Sequence, residues 1–180
     1  MTVYATVGSP LGELLLVGEE RAGSAVALAS LSMPGQKGAA VVQEGWVRAP
    51  GLFAGIAAQL AAYFEGRLTR FDIAYADGGA GTEFQRRVWR AVEAVPYGTT
   101  VSYGQIAGQV GAAGAGVRAV GTAIGRNPLL VVRPCHRVIG ADGALRGYAG
   151  GVERKERLLV LEGAAVPGQR RSRELPKSSR

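Results

Sequence analysis

A glycine-rich segment, Asp77-Gly78-Gly79-Ala80-Gly81, divides the chain into two parts with different hydrophobic patterns. Glycine increases the conformational freedom of the backbone and offers no side chain to bury, so the segment predicts a linker. At 180 residues the chain is long enough for one large domain or two small ones. We therefore expect a first domain over residues 1–78, a second over residues 79–168, and a disordered basic tail over residues 169–180.

The first part alternates short β-like runs with turn residues, which is typical of antiparallel strands. The predicted strands are Thr2–Val7 and residues 13–17, 25–29 and 71–75, with a turn at Ser9-Pro10-Leu11-Gly12. Between residues 50 and 66, apolar residues recur three and four apart, at Leu52, Phe53, Ile56, Leu60 and Phe64. This spacing predicts a helix with one apolar stripe.

The second part contains two capping-box patterns, which mark helix starts. Thr82-Glu83-Phe84-Gln85 opens a helix that Pro96-Tyr97-Gly98 ends, and Ser102-Tyr103-Gly104-Gln105 opens a helix that extends to about residue 110. A third helix is expected over residues 116–126, because Asn127-Pro128 follows it.

The last two predicted helices, joined by a glycine-containing turn, fit a helix-turn-helix. Small residues surround Arg118 in the second of them, so its backbone could approach a nucleic-acid groove while Arg118 projects beyond it. The same pattern fits close helix packing inside a core. The residues alone leave both interpretations open.

The charge of the chain favours a polyanionic partner such as nucleic acid. Lys and Arg number 21 against 14 Asp and Glu, a formal net charge of +7. Residues 169–180 hold much of this charge, and a solubilising tail explains them equally well. The sequence lacks a long apolar run and a basic stretch followed by an apolar one near Met1, so we expect a cytosolic protein that does not span a membrane.

The chain has one cysteine, Cys135, and one histidine, His136. A single cysteine excludes an internal disulfide, and this pair excludes a zinc site built from the usual four Cys and His ligands. Free cysteines are more often inert buried side chains than nucleophiles, so composition leaves Cys135 structural, reactive or incidental.

An apolar run at residues 129–132, predicted as a buried strand or extended segment, leads into Arg133-Pro134-Cys135-His136-Arg137. A cysteine attacks as its thiolate, so cationic neighbours or an imidazole would have to assist ionisation. Consecutive side chains of a strand point to opposite faces, and His136 would therefore need a bend or a bridging water to act on Cys135. Pro134 favours irregular backbone here.

The segment Pro134-Cys135-His136-Arg137-Val138 resembles the active-site motif of the methylated-DNA-protein-cysteine methyltransferases, also called O6-alkylguanine-DNA alkyltransferases. Further motifs occur in that family's order: Phe84-Gln85, Val88-Trp89, Pro96-Tyr97-Gly98, Val101-Ser102-Tyr103, Val117-Arg118-Ala119-Val120-Gly121, Arg126-Asn127-Pro128, Asp142-Gly143, Gly147-Tyr148, Gly150-Gly151, Lys155, and Leu158-Leu159 through Glu162. The resemblance covers residues 82–163.

The resemblance implies an α/β protein: a small ribonuclease-H-like N-terminal domain, then a mainly helical domain with a winged-helix or helix-turn-helix DNA-binding element. It implies DNA repair by a single, irreversible transfer of an alkyl group, chiefly methyl, from O6-alkylguanine in duplex DNA to Cys135. No metal or organic cofactor is implied. The expected partner is double-stranded DNA containing the lesion, with no membrane and no obligate protein partner. The expected state is a monomer, and cooperative assembly on DNA is left open.

The resemblance also implies roles for individual residues. Cys135 accepts the alkyl group, His136 acts as base through a water, and Glu162 orients His136. Tyr103 protonates or hydrogen-bonds the departing guanine, and Asn127 supports the active-site turn.

For DNA, the resemblance implies that the second helix of the pair enters the minor groove and that Arg118 fills the space left by an extruded nucleotide. The implied DNA contacts are Tyr103, Ala115, Arg118, Gly121 and Thr122. The implied pocket for the extruded base consists of Val138, Tyr148, Ala149 and Gly150, with Tyr148 and Ala149 in a loop that closes over the base.

The chain departs from the family pattern at three places. The segment between Tyr103 and Arg118 is one residue longer than in some members, and residues 111–116 lack the Pro-Lys of many relatives. The zinc ligands that some relatives carry in the first domain are missing, and Arg126 stands where a small residue is frequent.

Two other functions fit parts of the sequence. A non-enzymatic helix-turn-helix protein that binds alkylated DNA would use the same charge and helices, but relatives that only bind damage lack the cysteine found at position 135. A cysteine hydrolase would need an oxyanion hole, and no motif of the sequence indicates one.

Overall fold

A computed structural model of the chain describes residues 1–76 and 80–165. Its first part is a four-stranded sheet in the order β3-β2-β1-β4. The strands are β1 (Thr2–Val7), β2 (Leu14–Arg21), β3 (Ala25–Ser32) and β4 (Val47–Arg48). β1 to β3 form an antiparallel meander and β4 pairs parallel to β1. The three predicted strands in this meander are confirmed, and β2 and β3 extend beyond the predicted ends.

The predicted amphipathic helix is also confirmed. A 3-10 turn at Pro50–Phe53 continues as α1 (Ala54–Phe64), and the backbone N–H of Gly66 donates to the carbonyl of Tyr63 at its end. Its inward residues Phe53, Ile56, Leu60 and Tyr63 are buried. They belong to the core that the sheet shares with the second part of the chain.

The predicted strand over residues 71–75 is wrong. Only Tyr75 forms a bridge to β3, through hydrogen bonds from Leu28 N–H to the Ala74 carbonyl and from Ala76 N–H to the Leu28 carbonyl. At Asp72 the backbone N–H and carbonyl instead bond the side chain of Gln59, both at 2.8 Å. A side chain thus replaces the neighbouring strand that the alternating pattern had suggested.

The second part packs helices around two very short strands. Its elements are α2 (Glu83–Glu93), β5 (Val101–Ser102), α3 (Tyr103–Gln109), α4 (Val117–Gly125), β6 (Val138–Ile139) and α5 (Val152–Leu161). Both capping boxes are present, with Thr82 and Ser102 as N-caps. β5 and β6 pair in parallel.

The pair α3 and α4 forms the expected helix-turn-helix, with a 3-10 turn at Gly114–Gly116 between the helices. Val120 and Ile124 of α4 face the core, whereas Arg118 and Thr122 are exposed. The indole N–H of Trp89 in α2 donates to the Ala123 carbonyl at 2.9 Å and holds α4 in place. The outer face of α4 is therefore open to a partner, and the core-packing interpretation applies only to its inner face.

Residues 129–132 are buried as predicted but do not form a strand. Leu129 makes one parallel bridge to Leu31 of β3, which ties the two parts of the chain together. The backbone then turns, since Arg133 N–H donates to the Leu129 carbonyl at 3.0 Å and Val131 adopts a φ of 69°. A left-handed valine is a costly conformation that persists only where its surroundings impose it.

The predicted linker falls partly on residues 77–79 and the predicted tail on residues 169–180, which lie outside the described residues. The boundary between domains 1–78 and 79–168 stays a prediction. Within residues 1–76 and 80–165, no helix is long and apolar enough to cross a membrane.

Candidate active site

Cys135 opens a one-turn 3-10 helix, Cys135–Arg137, directly after Pro134. The turn replaces the extended backbone in which neighbouring side chains would point apart, as Pro134 had indicated. Cys135, His136 and Arg137 are all buried, with His136 completely so. The three consecutive side chains therefore make separate contacts inside the protein.

Asn127 holds the turn that leads to the cysteine. Its side-chain amide donates to the carbonyls of Leu129 and Arg133, at 3.4 and 3.1 Å, while its Oδ1 accepts from Leu129 N–H at 3.0 Å. Asn127 is itself buried. The amide thus supplies the backbone of residues 129–133 with partners that a strand would otherwise provide.

Arg133 fixes the same turn to α2. Its Nε donates to the carboxylate of Glu93 at 2.8 Å, and its guanidinium lies 4.8 Å from the Trp89 ring centroid. A buried guanidinium needs such partners because burial removes its hydration.

His136 pairs with Glu162 at the end of α5. The distance from His136 Nε2 to Glu162 Oε2 is 2.7 Å, and neither side chain is exposed. Arg137 Nε donates to the other carboxylate oxygen of Glu162, Oε1, at 2.7 Å. The sequence left open that cations near Cys135 could stabilise its thiolate, and the Arg137 guanidinium hydrogen-bonds Glu162 instead.

The Glu162 carboxylate is ionised. Burial by itself would raise its pKa, but hydrogen bonds from His136 and Arg137 outweigh burial and lower the pKa to about 2. An ionised carboxylate can only accept, which places the ring proton of His136 on Nε2.

His136 is therefore a neutral ring with its other nitrogen available. Burial lowers the pKa of His136 below its ordinary value of 6.5, although Glu162 opposes the shift. Its Nδ1 is buried and has no hydrogen-bond partner among the described residues. An unprotonated, unpaired Nδ1 in a neutral imidazole has the properties of a general base.

Burial raises the pKa of the Cys135 thiol, although a hydrogen bond to Asn127 and the charges of Lys155 and Arg133 oppose the shift. The thiol is therefore protonated at rest. The sequence suggested that nearby cations could stabilise a thiolate, and Arg133 does so only in part. Removal of the proton needs a base, which is the role that the neutral His136 can fill.

Lys155 is a fully buried cation whose part in the site the sequence analysis did not identify. Its Nζ donates to the carbonyls of Val138 and Arg146, at 2.6 and 3.1 Å. Burial lowers its pKa to about 8, against the opposing influence of Cys135. The available signal was a lysine three and four residues before Leu158 and Leu159, on the apolar side of a helix.

Tyr103 begins α3 and ties it to the loop that precedes α5. Its hydroxyl donates to the Arg146 carbonyl at 2.9 Å. The pKa of Tyr103 is raised by burial and by Cys135, and the pKa of Tyr148 is raised well above its ordinary value by the same two causes. Both phenols thus lie within electrostatic range of the cysteine, and both stay protonated.

A cleft of about 860 Å³ opens beside these residues. From the second part it is lined by Tyr103, Gly121, Thr122, Arg126, Asn127, Tyr148 and Ala149, and from the first by Ser30, Ser32, Gln36 and Lys37, among others. The Tyr148 hydroxyl is buried and lacks a partner among the described residues. A cleft of this size with a few convergent polar groups is typical of a small-molecule binding site.

Two predicted pocket residues occupy supporting positions. Val138 is completely buried, and its carbonyl accepts from Lys155. Gly150 is buried so closely that a Cβ atom there would lie 2.8 Å from both the Met33 sulfur and the Tyr148 ring. The absence of a side chain at Gly150 therefore leaves room for the Tyr148 ring.

Of the predicted DNA contacts, Arg118, Gly121 and Thr122 lie on α4, Ala115 lies in the 3-10 turn before it, and Tyr103 begins α3. Ala115, Arg118 and Thr122 are exposed and line a shallow groove of about 540 Å³, and Gly121 is half-buried beside Tyr103. Arg126 is exposed and lines both this groove and the larger cleft. The structure thus gives Arg126 a place between the two surfaces that the sequence could not assign.

Comparisons with known proteins agree along both parts of the chain. The family model for the ribonuclease-like domain of 6-O-methylguanine DNA methyltransferase matches residues 2–75, and the model for its DNA binding domain matches residues 83–164. A methylated-DNA–protein-cysteine methyltransferase of Mycolicibacterium paratuberculosis is 52% identical over 162 residues, covering 90% of this chain and 93% of that protein. A relative of the same name from Methanosarcina acetivorans is 46% identical, covering 89% and 98%.

Solved structures agree as well. The crystal structure of Mycobacterium tuberculosis OGT in complex with DNA matches with a TM-score of 0.79 and 48% identity, covering 92% of this chain and 96% of that one. The matched length includes both parts of the chain.

Replacement of Glu162 by Gln should destabilise the protein. The change leaves Arg137 buried without its counter-charge, which typically costs about 3–5 kcal/mol of unfolding free energy. Because the pKa of Glu162 is lowered from 4.5 to about 2, this contribution is complete above pH 4.5 and is lost as the pH falls toward 2.

Urea unfolding of the wild type and the Glu162→Gln variant at several pH values measures this effect. The matched control is Glu65→Gln, which removes an exposed ion pair with Arg67 and should cost less than about 1 kcal/mol. Equal stability of wild type and Glu162→Gln at pH 7 would contradict the assignment.

Proposed function

The chain belongs to the 6-O-methylguanine DNA methyltransferase family, and on that premise we propose that it repairs DNA by moving an alkyl group, chiefly methyl, from guanine O6 to its own Cys135. The observation that carries this proposal is the buried Cys135 thiol, next in the chain to a neutral His136 whose Nδ1 has no partner among the described residues. This arrangement allows the Cys135 sulfur to act as the nucleophile in a single displacement reaction, with His136 as the base.

In the proposed reaction the Cys135 sulfur forms a bond to the alkyl carbon while the bond from that carbon to guanine O6 breaks. The guanine leaves with the electron pair of that bond and takes up one proton from water. The thiol proton passes, through a water, to Nδ1 of His136, and Glu162 stabilises the imidazolium that results. The product is a thioether, which ordinary redox chemistry does not reopen. Each chain therefore reacts once.

Tyr103 is proposed to stabilise the departing guanine. Its hydroxyl stays protonated, lies within electrostatic range of Cys135, and belongs to the lining of the large cleft. In the structure the Tyr103 hydroxyl donates to the Arg146 carbonyl. A guanine base bound in the cleft would accept this hydrogen bond in place of the carbonyl. Tyr148 and Ala149 are proposed to hold the base from the opposite loop.

Access to a base in duplex DNA requires that the nucleotide be extruded from the stack. The exposed Arg118 at the start of α4 is proposed to fill the space that the nucleotide leaves, with small residues such as Ala119 allowing close approach. The net charge of +7 favours binding to DNA phosphates. We place the protein in the cytosol because its substrate is DNA.

The direct test is to mix the protein with an oligonucleotide duplex carrying one O6-methylguanine and to measure intact and peptide masses. One methyl group should appear on Cys135, with one turnover per chain, and Cys135→Ala should gain none. No mass gain by a protein that still binds the duplex would show the non-enzymatic lesion binder instead. Several turnovers per chain would also contradict the proposal.

Arg118→Ala should slow methyl transfer from duplex DNA by about tenfold or more, because extrusion costs a few kcal/mol that the arginine helps to offset. Transfer from free O6-methylguanine base, which needs no extrusion, should keep the wild-type rate. The control is Arg21→Ala, which removes an equal charge from the exposed end of β2. A duplex rate that matches the wild type would contradict the role of Arg118.

A further inference from the structure

Tyr63 of α1 reaches the active site from the first part of the chain. Its hydroxyl donates to Glu162 Oε2 at 2.5 Å, although the two residues are 99 positions apart in sequence. The same oxygen accepts from His136 Nε2 at 2.7 Å. Tyr63 is therefore one side chain away from the proposed base.

The ring of Tyr63 is held on several sides. It packs against Phe64, Phe71 and Tyr97, with ring centroids 5.3, 5.2 and 6.4 Å away, and it has no exposed surface. Packing alone would be satisfied by phenylalanine, and burial of a hydroxyl is unfavourable unless it is hydrogen-bonded. The hydroxyl thus has a specific partner in Glu162.

The Tyr63 hydroxyl is a permanent donor. Burial, together with the charge of Glu162, raises the pKa of Tyr63 well above its ordinary value of 10. Its hydrogen bond is in turn one of the contacts that lower the pKa of Glu162. A donor on Oε2 reduces the negative charge that this oxygen presents to His136 and so opposes protonation of the imidazole.

We propose that Tyr63 is a positioning residue through which the first domain fixes the orientation of the Glu162–His136 pair and keeps His136 unprotonated as the base for Cys135. This inference rests on the proposed function. The other titratable groups near the pair are Arg137 of the 3-10 turn, Lys155 of α5, and the phenols of Tyr97 and Tyr148, of which Arg137 and Lys155 act on His136 directly. None of these contacts is removed by a change at Tyr63 that keeps the ring.

The test compares Tyr63→Phe with Tyr97→Phe. Tyr97 is a matched control because its ring also packs near Glu162, while its hydroxyl makes only a 3.4 Å contact to the Leu161 carbonyl. The single-turnover rate of methyl transfer to Cys135 is measured from pH 5 to 8, and urea unfolding establishes that both variants are folded over that range. We expect the wild-type rate to fall at acid pH, where His136 becomes protonated and can no longer act as the base.

Tyr63→Phe should slow transfer and move the acid limb of the rate profile upward by about half to one pH unit, as expected for loss of a hydrogen bond to a charged group. Tyr97→Phe should leave the profile unchanged. A purely structural tyrosine would lower the unfolding midpoint and leave the acid limb in place, and that result would overturn the proposal.

A second readout needs no DNA. The chain has one histidine, so an NMR titration of the imidazole reports on His136 alone. Its midpoint should rise in Tyr63→Phe, and an unchanged midpoint overturns the proposal even where methyl transfer persists. If the midpoint rises but the wild type never methylates Cys135, the proposed function fails and the coupling of Tyr63 to His136 stands.

Discussion

The buried carboxylate of Glu162 is the interaction on which the site depends. It accepts hydrogen bonds from His136, Arg137 and Tyr63, which belong to the cysteine turn and to α1. Removal of a carboxylate from water is costly unless its oxygens are fully hydrogen-bonded, and these donors meet that need. Because Tyr63 comes from the first part of the chain, Glu162 has its full set of donors only once both parts have packed together.

The turn before Cys135 also depends on hydrogen bonds from buried polar side chains. Its backbone curves through a left-handed Val131 and takes its hydrogen bonds from Asn127. Arg133 then fixes the turn to α2 through Glu93. Buried polar side chains thus hold the cysteine in a conformation that a regular strand would not allow, and the bridge between Leu31 and Leu129 connects this turn to the sheet.

Local patterns predicted the elements whose hydrogen bonds are local. The capping boxes at Thr82 and Ser102 and the apolar stripe of α1 needed only neighbours within four residues, and they are confirmed. The errors at residues 71–75 and 129–132 arose where a side chain, Gln59 or Asn127, replaced a strand partner. The contact of Tyr63 with Glu162 depends on tertiary packing and has no signature in the sequence. The resemblance to a known family supplied the residue roles, which spacing alone could not.

The proposed reaction depends on His136 being a neutral ring whose Nε2 proton faces Glu162 and whose Nδ1 is available as a base. Since the chain has one histidine, nitrogen-15 NMR of the wild type at pH 7 tests it directly. We expect a protonated Nε2 and an unprotonated Nδ1. An imidazolium ring, or a ring with its proton on Nδ1, would contradict it.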